Sequence, residues 1–145
     1  MRFWDASALV PLFIRERGSD VVRRYLDDDP TVLVWTLSRV EFLSALARRR
    51  RASPESRRAL QQARRRFLEA WPRWNEVVAV PEVRRCAERL VDVHPLRAAD
   101  ALQLGAALVA AEDDPTGLQI VTLDATLAEA AERESFTVLG LDDSR

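Results

Sequence analysis

Four acidic residues stand at the junctions between apolar stretches of this chain. Asp5 follows Arg2-Phe3-Trp4, Glu41 ends Ser38-Arg39-Val40-Glu41, Asp100 ends Leu96-Arg97-Ala98-Ala99-Asp100, and Asp124 follows Ile120-Val121-Thr122-Leu123. If the fold gathers them, their chemistry is that of a metal site. Two carboxylates about 4 Å apart repel by roughly 4 kcal/mol at an effective dielectric near 20. Several such pairs rival the whole stability of a domain, about 5 to 15 kcal/mol. A divalent cation turns that repulsion into a ligand set. All-oxygen ligation favours Mg²⁺ or Mn²⁺, the ions of phosphoryl chemistry, over zinc, which takes His and Cys. The chain offers zinc only His94 and Cys86.

Each acid also has a purely structural use. Asp5 and Asp124 are placed to cap the helices that follow them, a service worth about 1 kcal/mol. Ser38-Arg39-Val40-Glu41 matches a capping box, in which the glutamate reaches back to the backbone N–H of the cap. Asp100 can answer a helix dipole or pair with Arg97. Two observations favour chemistry. Ser44 and Ala45, one turn beyond Glu41, leave room beside its carboxylate. Asp100 interrupts the most apolar helix of the chain, and a buried carboxylate demands a partner. The joint placement of the four carries more weight than any one of them.

Composition narrows the remaining classes. All twenty-two basic residues are Arg, which excludes mechanisms built on an essential lysine such as the P-loop lysine or a Schiff base. Four scattered glycines form no phosphate-cradling loop. A single cysteine allows no internal disulfide, and no basic segment precedes a long apolar run, so a cytoplasmic protein with no membrane association is expected. Cys86 reads as a packed thiol and His94, before Pro95, as a loop residue without catalytic use. Charge is unevenly spread: residues 39–73 hold eleven Arg and three acids, residues 112–145 nine acids and two Arg. The Arg-rich segment suits RNA phosphates or simply a solvated surface, because Arg48 to Arg51 run consecutively around the helix. Trp71 and Trp74 suit base stacking less well than packing of this hairpin or of a subunit interface.

The elements that must position these residues alternate. Residues 2–5 read as a buried strand, with Ser7 capping a helix to Ile14; after Gly18, Ser19 begins a helix to Leu26, and Thr31 to Trp35 forms a second strand. Ser38 opens a helix, and Ser53-Pro54 caps another that carries Leu60, Ala63, Phe67 and Trp71 on one face. Glu76 to Val80 is a third strand, followed by helices over 81–92 and 96–111. Gln119 to Leu123, a helix over 125–133, and Phe136 to Leu139 complete the chain. With 145 residues and no linker, this predicts one domain over 1–145, a three-layer α/β/α sandwich around a mostly parallel sheet. In such folds the binding crevice lies at the carboxyl ends of the strands, where all four acids can converge.

Four blocks make the pattern recognisable: Phe3-Trp4-Asp5-Ala6-Ser7-Ala8-Leu9-Val10, Ser38-Arg39-Val40-Glu41-Phe42-Leu43-Ser44-Ala45-Leu46, Leu96-Arg97-Ala98-Ala99-Asp100-Ala101-Leu102-Gln103-Leu104, and Val121-Thr122-Leu123-Asp124. They resemble the PIN domain family, specifically its VapC-type toxin ribonucleases, in order and local context across essentially the whole chain. That resemblance implies a Mg²⁺- or Mn²⁺-dependent endoribonuclease of a type II toxin–antitoxin pair, held inactive by an antitoxin and expected to form a homodimer. It assigns Asp5, Glu41, Asp100 and Asp124 to the family's acidic cluster, Asp5 and Asp100 first among the metal ligands, with Ser7 as the small hydroxyl residue behind the first aspartate. The chain departs from the pattern at Glu134-Ser135, where family members often have glycine, and in the acidic insert Glu112-Asp113-Asp114-Pro115 before Asp124. The alternative is a PIN-like module that keeps its acids for stability and grips RNA or a protein through its arginine helices. A metal-dependent phosphatase would need an acid two residues after its nucleophilic aspartate, where this chain has Ser7.

Overall fold

The computed structural model describes residues 1–112 and 114–141; Asp113 of the acidic insert lies outside them. Five short parallel strands, β1 (Arg2–Trp4), β2 (Val32–Trp35), β3 (Asn75–Val77), β4 (Gln119–Val121) and β5 (Thr137–Leu139), form one sheet in the order β3-β2-β1-β4-β5. Successive side chains of a strand point to opposite faces, and both faces are covered here. Phe3, Leu33, Trp35 and Ile120 pack into one core; Trp4, Val32, Val34 and Val121 pack into the other. This double burial is why β1, β2 and the end of β4 read as continuous apolar runs instead of alternating ones, while edge strands β3 and β5 carry exposed residues.

Seven helices supply the outer layers. On the Trp4 face lie α1 (Ala6–Phe13), α2 (Ser19–Asp28), α3 (Ser38–Ala52) and α4 (Arg57–Ala70). On the Phe3 face lie α5 (Val80–Val93), α6 (Ala98–Ala111) and α7 (Ala125–Arg133). The three-layer α/β/α expectation therefore holds. From β1 the chain moves outward to β2 and β3, then returns past β1 to β4 and β5. The segment after β1 leaves toward one face and that after β4 toward the other. The crevice between them is the switch point where such folds bind ligands.

Three local expectations change. Asp5, not Ser7, caps α1, accepting from the Ser7 backbone N–H at 3.2 Å. Leu37 precedes α3 and Ser38 lies inside it, so no capping box forms and the Glu41 side chain is released for other contacts. Pro54 opens a short 3₁₀ turn before α4, with no side-chain bond from Ser53. At Ser7 and Ser38 a tertiary partner engages the hydroxyl that would otherwise cap. Strand β3 also begins one residue before the predicted run 76–80 and ends at Val77, since Val78 is exposed and Val80 already opens α5.

The α3–α4 hairpin is closed by aromatic rings. Phe42 and Phe67 stack at 3.7 Å, Phe13 meets both edge-on, and Trp71 and Trp74 close the cluster. The Trp71 indole donates to Glu76 Oε1 at 2.6 Å. Both tryptophans thus pack the hairpin.

Candidate active site

Asp5 ends β1 at the centre of the sheet and is 4% exposed. Its backbone N–H continues the ladder to the Val121 carbonyl at 3.0 Å, which fixes it beside the end of β4. Its carboxylate Oδ2 accepts from the Ser7 hydroxyl at 2.5 Å and the Thr122 hydroxyl at 2.9 Å. Each hydroxyl also accepts a backbone N–H, Ser7 from Leu123 at 2.9 Å and Thr122 from Asp124 at 3.1 Å. Each hydroxyl thus donates once and accepts once, which holds both in place. The segment leaving β4 is thereby pinned to the one leaving β1, and Asp5 Oδ1 keeps no hydrogen bond among the described residues.

The other three acids approach from separate elements. Glu41 sits in the first turn of α3, half-buried, with Oε1 accepting from the Gln103 side-chain amide at 3.0 Å. Asp100 sits in the first turn of α6, where the free N–H groups of the helix favour an anion. Asp124 caps α7 through Leu127 N at 2.8 Å. All four line one cleft of about 560 Å³, together with Ser7, Ser44, Ala45, Arg48 and Arg49. Capping and cleft-lining are compatible for Asp5 and Asp124, since a carboxylate that accepts one N–H retains lone pairs for another partner.

Charge is crowded in this cleft. Burial pushes the Asp5 carboxyl up against the opposing pull of its hydroxyl bonds, and the Asp124 charge raises it further. Glu41 is pushed up to about 7, first by burial, then by the charges of Asp5 and Asp100, while the Gln103 bond lowers it. Asp100 is raised by burial and by Asp124 and Asp5, with Arg97 pulling the other way. The four acids therefore share one field. Among the described residues no three His, Cys, Asp or Glu side chains converge closely enough to grip an ion as they stand. The donor set still fits a hard divalent cation. It is all oxygen, includes no imidazole or thiolate, and three of its members, Asp5, Glu41 and Asp100, have carboxyls raised first by burial.

The zinc-type residues lie elsewhere. His94 ends α5, buried, with Nε2 2.7 Å from Glu134 Oε1, and Glu134 is held below its usual range chiefly by a two-point bond from Arg89. Cys86 is partly buried on α5. Sequence reasoning passed over Thr122 and Gln103. Thr122 looked like one more β-branched strand residue, though its place two before Asp124 was a signal. Gln103 is the lone amide in an apolar helix, three residues past Asp100, and its burial is complete.

A profile of the PIN domain matches residues 2–133. The chain is 33% identical over 129 residues to "Ribonuclease VapC45" of Mycobacterium tuberculosis (strain CDC 1551 / Oshkosh), the match covering 89% of this chain and 88% of that protein. The same figures hold for "Ribonuclease VapC49" of Mycobacterium tuberculosis (strain ATCC 25618 / H37Rv). Two solved structures share the fold. PAE2754 from Pyrobaculum aerophilum superposes with a TM-score of 0.59 at 21% identity, over 97% of this chain and 90% of that one. FitAcB from Neisseria gonorrhoeae superposes with a TM-score of 0.60 at 15% identity, over 96% of each chain. With its sheet order, its acid-lined crevice and these relatives in hand, the chain belongs to the PIN domain family, among the VapC-type members.

Proposed function

We propose that this protein is a Mg²⁺- or Mn²⁺-dependent endoribonuclease, one nuclease domain over residues 1–145, acting in the cytoplasm as the toxin of a type II toxin–antitoxin pair. The observation that carries this reading is the meeting of Asp5, Glu41, Asp100 and Asp124 in one cleft at the switch point of the sheet. The ribonuclease names of its relatives support the reaction class. Asp5 and Asp100 would hold the ion, with Glu41 and Asp124 completing the set directly or through water. When bound, such an ion lowers the pKa of a water molecule and offsets charge developing on the phosphoryl oxygens.

The chain's own groups do the rest. Ser7 and Thr122 fix Asp5 through Oδ2, so its other oxygen has one defined place. Glu41 or Asp124 orients the attacking water. Arg48, exposed on the cleft wall and bonded only to Ser44 Oγ at 3.1 Å among the described residues, is free to draw an RNA phosphate toward the acids. No histidine or lysine is needed as a strong base.

Regulation by a cognate antitoxin suits a second groove, of about 510 Å³, floored by Phe13, Ile14, Leu60 and Ala63 and rimmed by Arg15, Arg49 and Arg66. An amphipathic acidic segment complements it. Exposed Leu37, Val40, Val78 and Val80, near the ends of β2 and β3, offer an apolar surface to a second copy, in keeping with a homodimer. No described helix is long and apolar enough to cross a membrane.

The test is RNA cleavage by purified protein in EDTA, then with Mn²⁺ restored. Wild type should be silent in EDTA and active with Mn²⁺, and Asp5→Asn and Asp100→Asn should stay silent while folding normally by circular dichroism. Tight RNA binding without cleavage, indifferent to EDTA, would establish the binding-module alternative instead.

A further inference from the structure

Gln103 is fully buried on the most apolar helix of the chain. An amide there must find partners, because burying it unpaired is unfavourable. Its Nε2 carries two hydrogens and has two acceptors, Ser38 Oγ at 2.8 Å and Glu41 Oε1 at 3.0 Å. Its Oε1 is buried with no partner. Turned over, the amide could satisfy that oxygen with the Ser38 hydroxyl. It would then set the same oxygen against the Glu41 carboxylate, acceptor against acceptor. The orphaned Oε1 is what the core tolerates to keep an N–H aimed at Glu41.

Two further facts separate this bond from ordinary packing. Gln103 follows Asp100 by three residues, so both rise from one side of α6. The bond also falls on a single oxygen of Glu41, whose Oε2 has no hydrogen bond among the described residues. A leucine would fill the same core position without desolvating an amide.

We propose that Gln103 is a positioning residue of the acid cleft: through Nε2 it sets the angle at which Glu41 offers its second oxygen to a divalent cation, while its bond to Ser38 ties the start of α3 to α6. This rests on the reading of the cleft as a metal site. Partners that orient a ligand from behind matter to metal affinity nearly as much as the ligands do.

The experiment is a Mn²⁺ titration of metal-free protein, with free aqua-Mn²⁺ read by electron paramagnetic resonance and melting temperature recorded beside it. Gln103→Leu, and Gln103→Met with the same unbranched stem, should each weaken Mn²⁺ binding by about 10- to 100-fold, while Ser38→Ala, which spares the Glu41 bond, shifts it by less than about threefold. In a Glu41→Ala background Gln103→Leu should add less than about twofold, since a residue acting through Glu41 has nothing left to position. Wild-type affinity in both Gln103 variants would overturn the proposal. So would an undiminished loss in the Glu41→Ala background, which would make the amide a packing element alone. If wild type itself takes up no Mn²⁺ at millimolar concentration, the metal reading falls and the proposal with it, a failure visible before any variant is compared.

Discussion

Asp5 takes its cap bond and both hydroxyl bonds on one oxygen, and that division of labour is how a helix-capping residue can also serve a cleft. Glu41 shows the thermodynamic side of such a placement. Its carboxyl is raised from 4.5 to about 7, so the folded protein holds this proton more tightly than the unfolded chain does. The resulting contribution to stability is complete below about pH 4.5 and is lost as pH rises through about 7. Asp20, Asp29 and Glu134, lowered by their cationic partners, behave oppositely, contributing above their unfolded values and failing as pH falls. Glu41→Gln keeps an acceptor for Gln103 but cannot ionise. Metal-free Glu41→Gln should therefore melt higher than wild type at pH 8 and equal it near pH 4, as thermal denaturation in EDTA would record. A lower melting temperature at pH 8 would contradict the assigned burial. The four acids were legible from sequence because an ionisable group beside an apolar run is conspicuous. Thr122 and Gln103 were not, because their hydrogen-bond partners lie 117 and 62 residues away and no local pattern encodes them.

At the scale of elements, period and breakers located every strand and helix core, since each rests on burial of a contiguous face. The ends were harder to read. Caps depend on which donor reaches a side-chain oxygen first, and the Ser38 hydroxyl accepts from the Gln103 amide of α6 instead of from a backbone N–H of its own helix. The end of α7 ties a sequence irregularity to geometry. Ser135 N–H bonds Glu132 O at 2.9 Å and Phe136 N–H bonds Ala131 O at 3.0 Å, a Schellman closure whose central residue must be left-handed. Ser135 has φ 74° and is exposed. A residue with a Cβ is strained there, which accounts physically for the glycine often seen at this place in the family. Ser135→Gly should stabilise the protein by about 1 kcal/mol and raise its melting temperature by about 3 °C. An unchanged or lower melting temperature would mean that the gain in unfolded-chain freedom outweighs the relieved strain.

For the molecule as a whole, the near-neutral charge conceals a polarity that suits a polyanionic substrate. Arginines crowd the α3–α4 hairpin beside the cleft, while the cleft floor is acidic. On the proposed reading, the wall draws phosphates and the floor holds a cation. If Arg48 contacts one phosphate, Arg48→Gln should reduce the slope of log affinity against log salt for single-stranded RNA by about 0.7, leaving the melting temperature unchanged. An unaltered slope would place the RNA on another face. The parallel sheet and a crevice at the carboxyl ends of its strands were foreseeable from the alternation of elements, whereas the strand order and the actual approach of Glu41 on α3 to Asp100 on α6 were not, because strands distant in sequence and helices on opposite faces meet only in the folded chain. The proposed chemistry of the cleft stands or falls on that meeting. Anomalous diffraction from crystals soaked in Mn²⁺ tests it directly: the predicted result is a peak in the cleft about 2.1 Å from carboxylate oxygens of Asp5 and Asp100, with Glu41 and Asp124 as direct or water-bridged neighbours. A peak bound elsewhere, or none at saturating Mn²⁺, would contradict it.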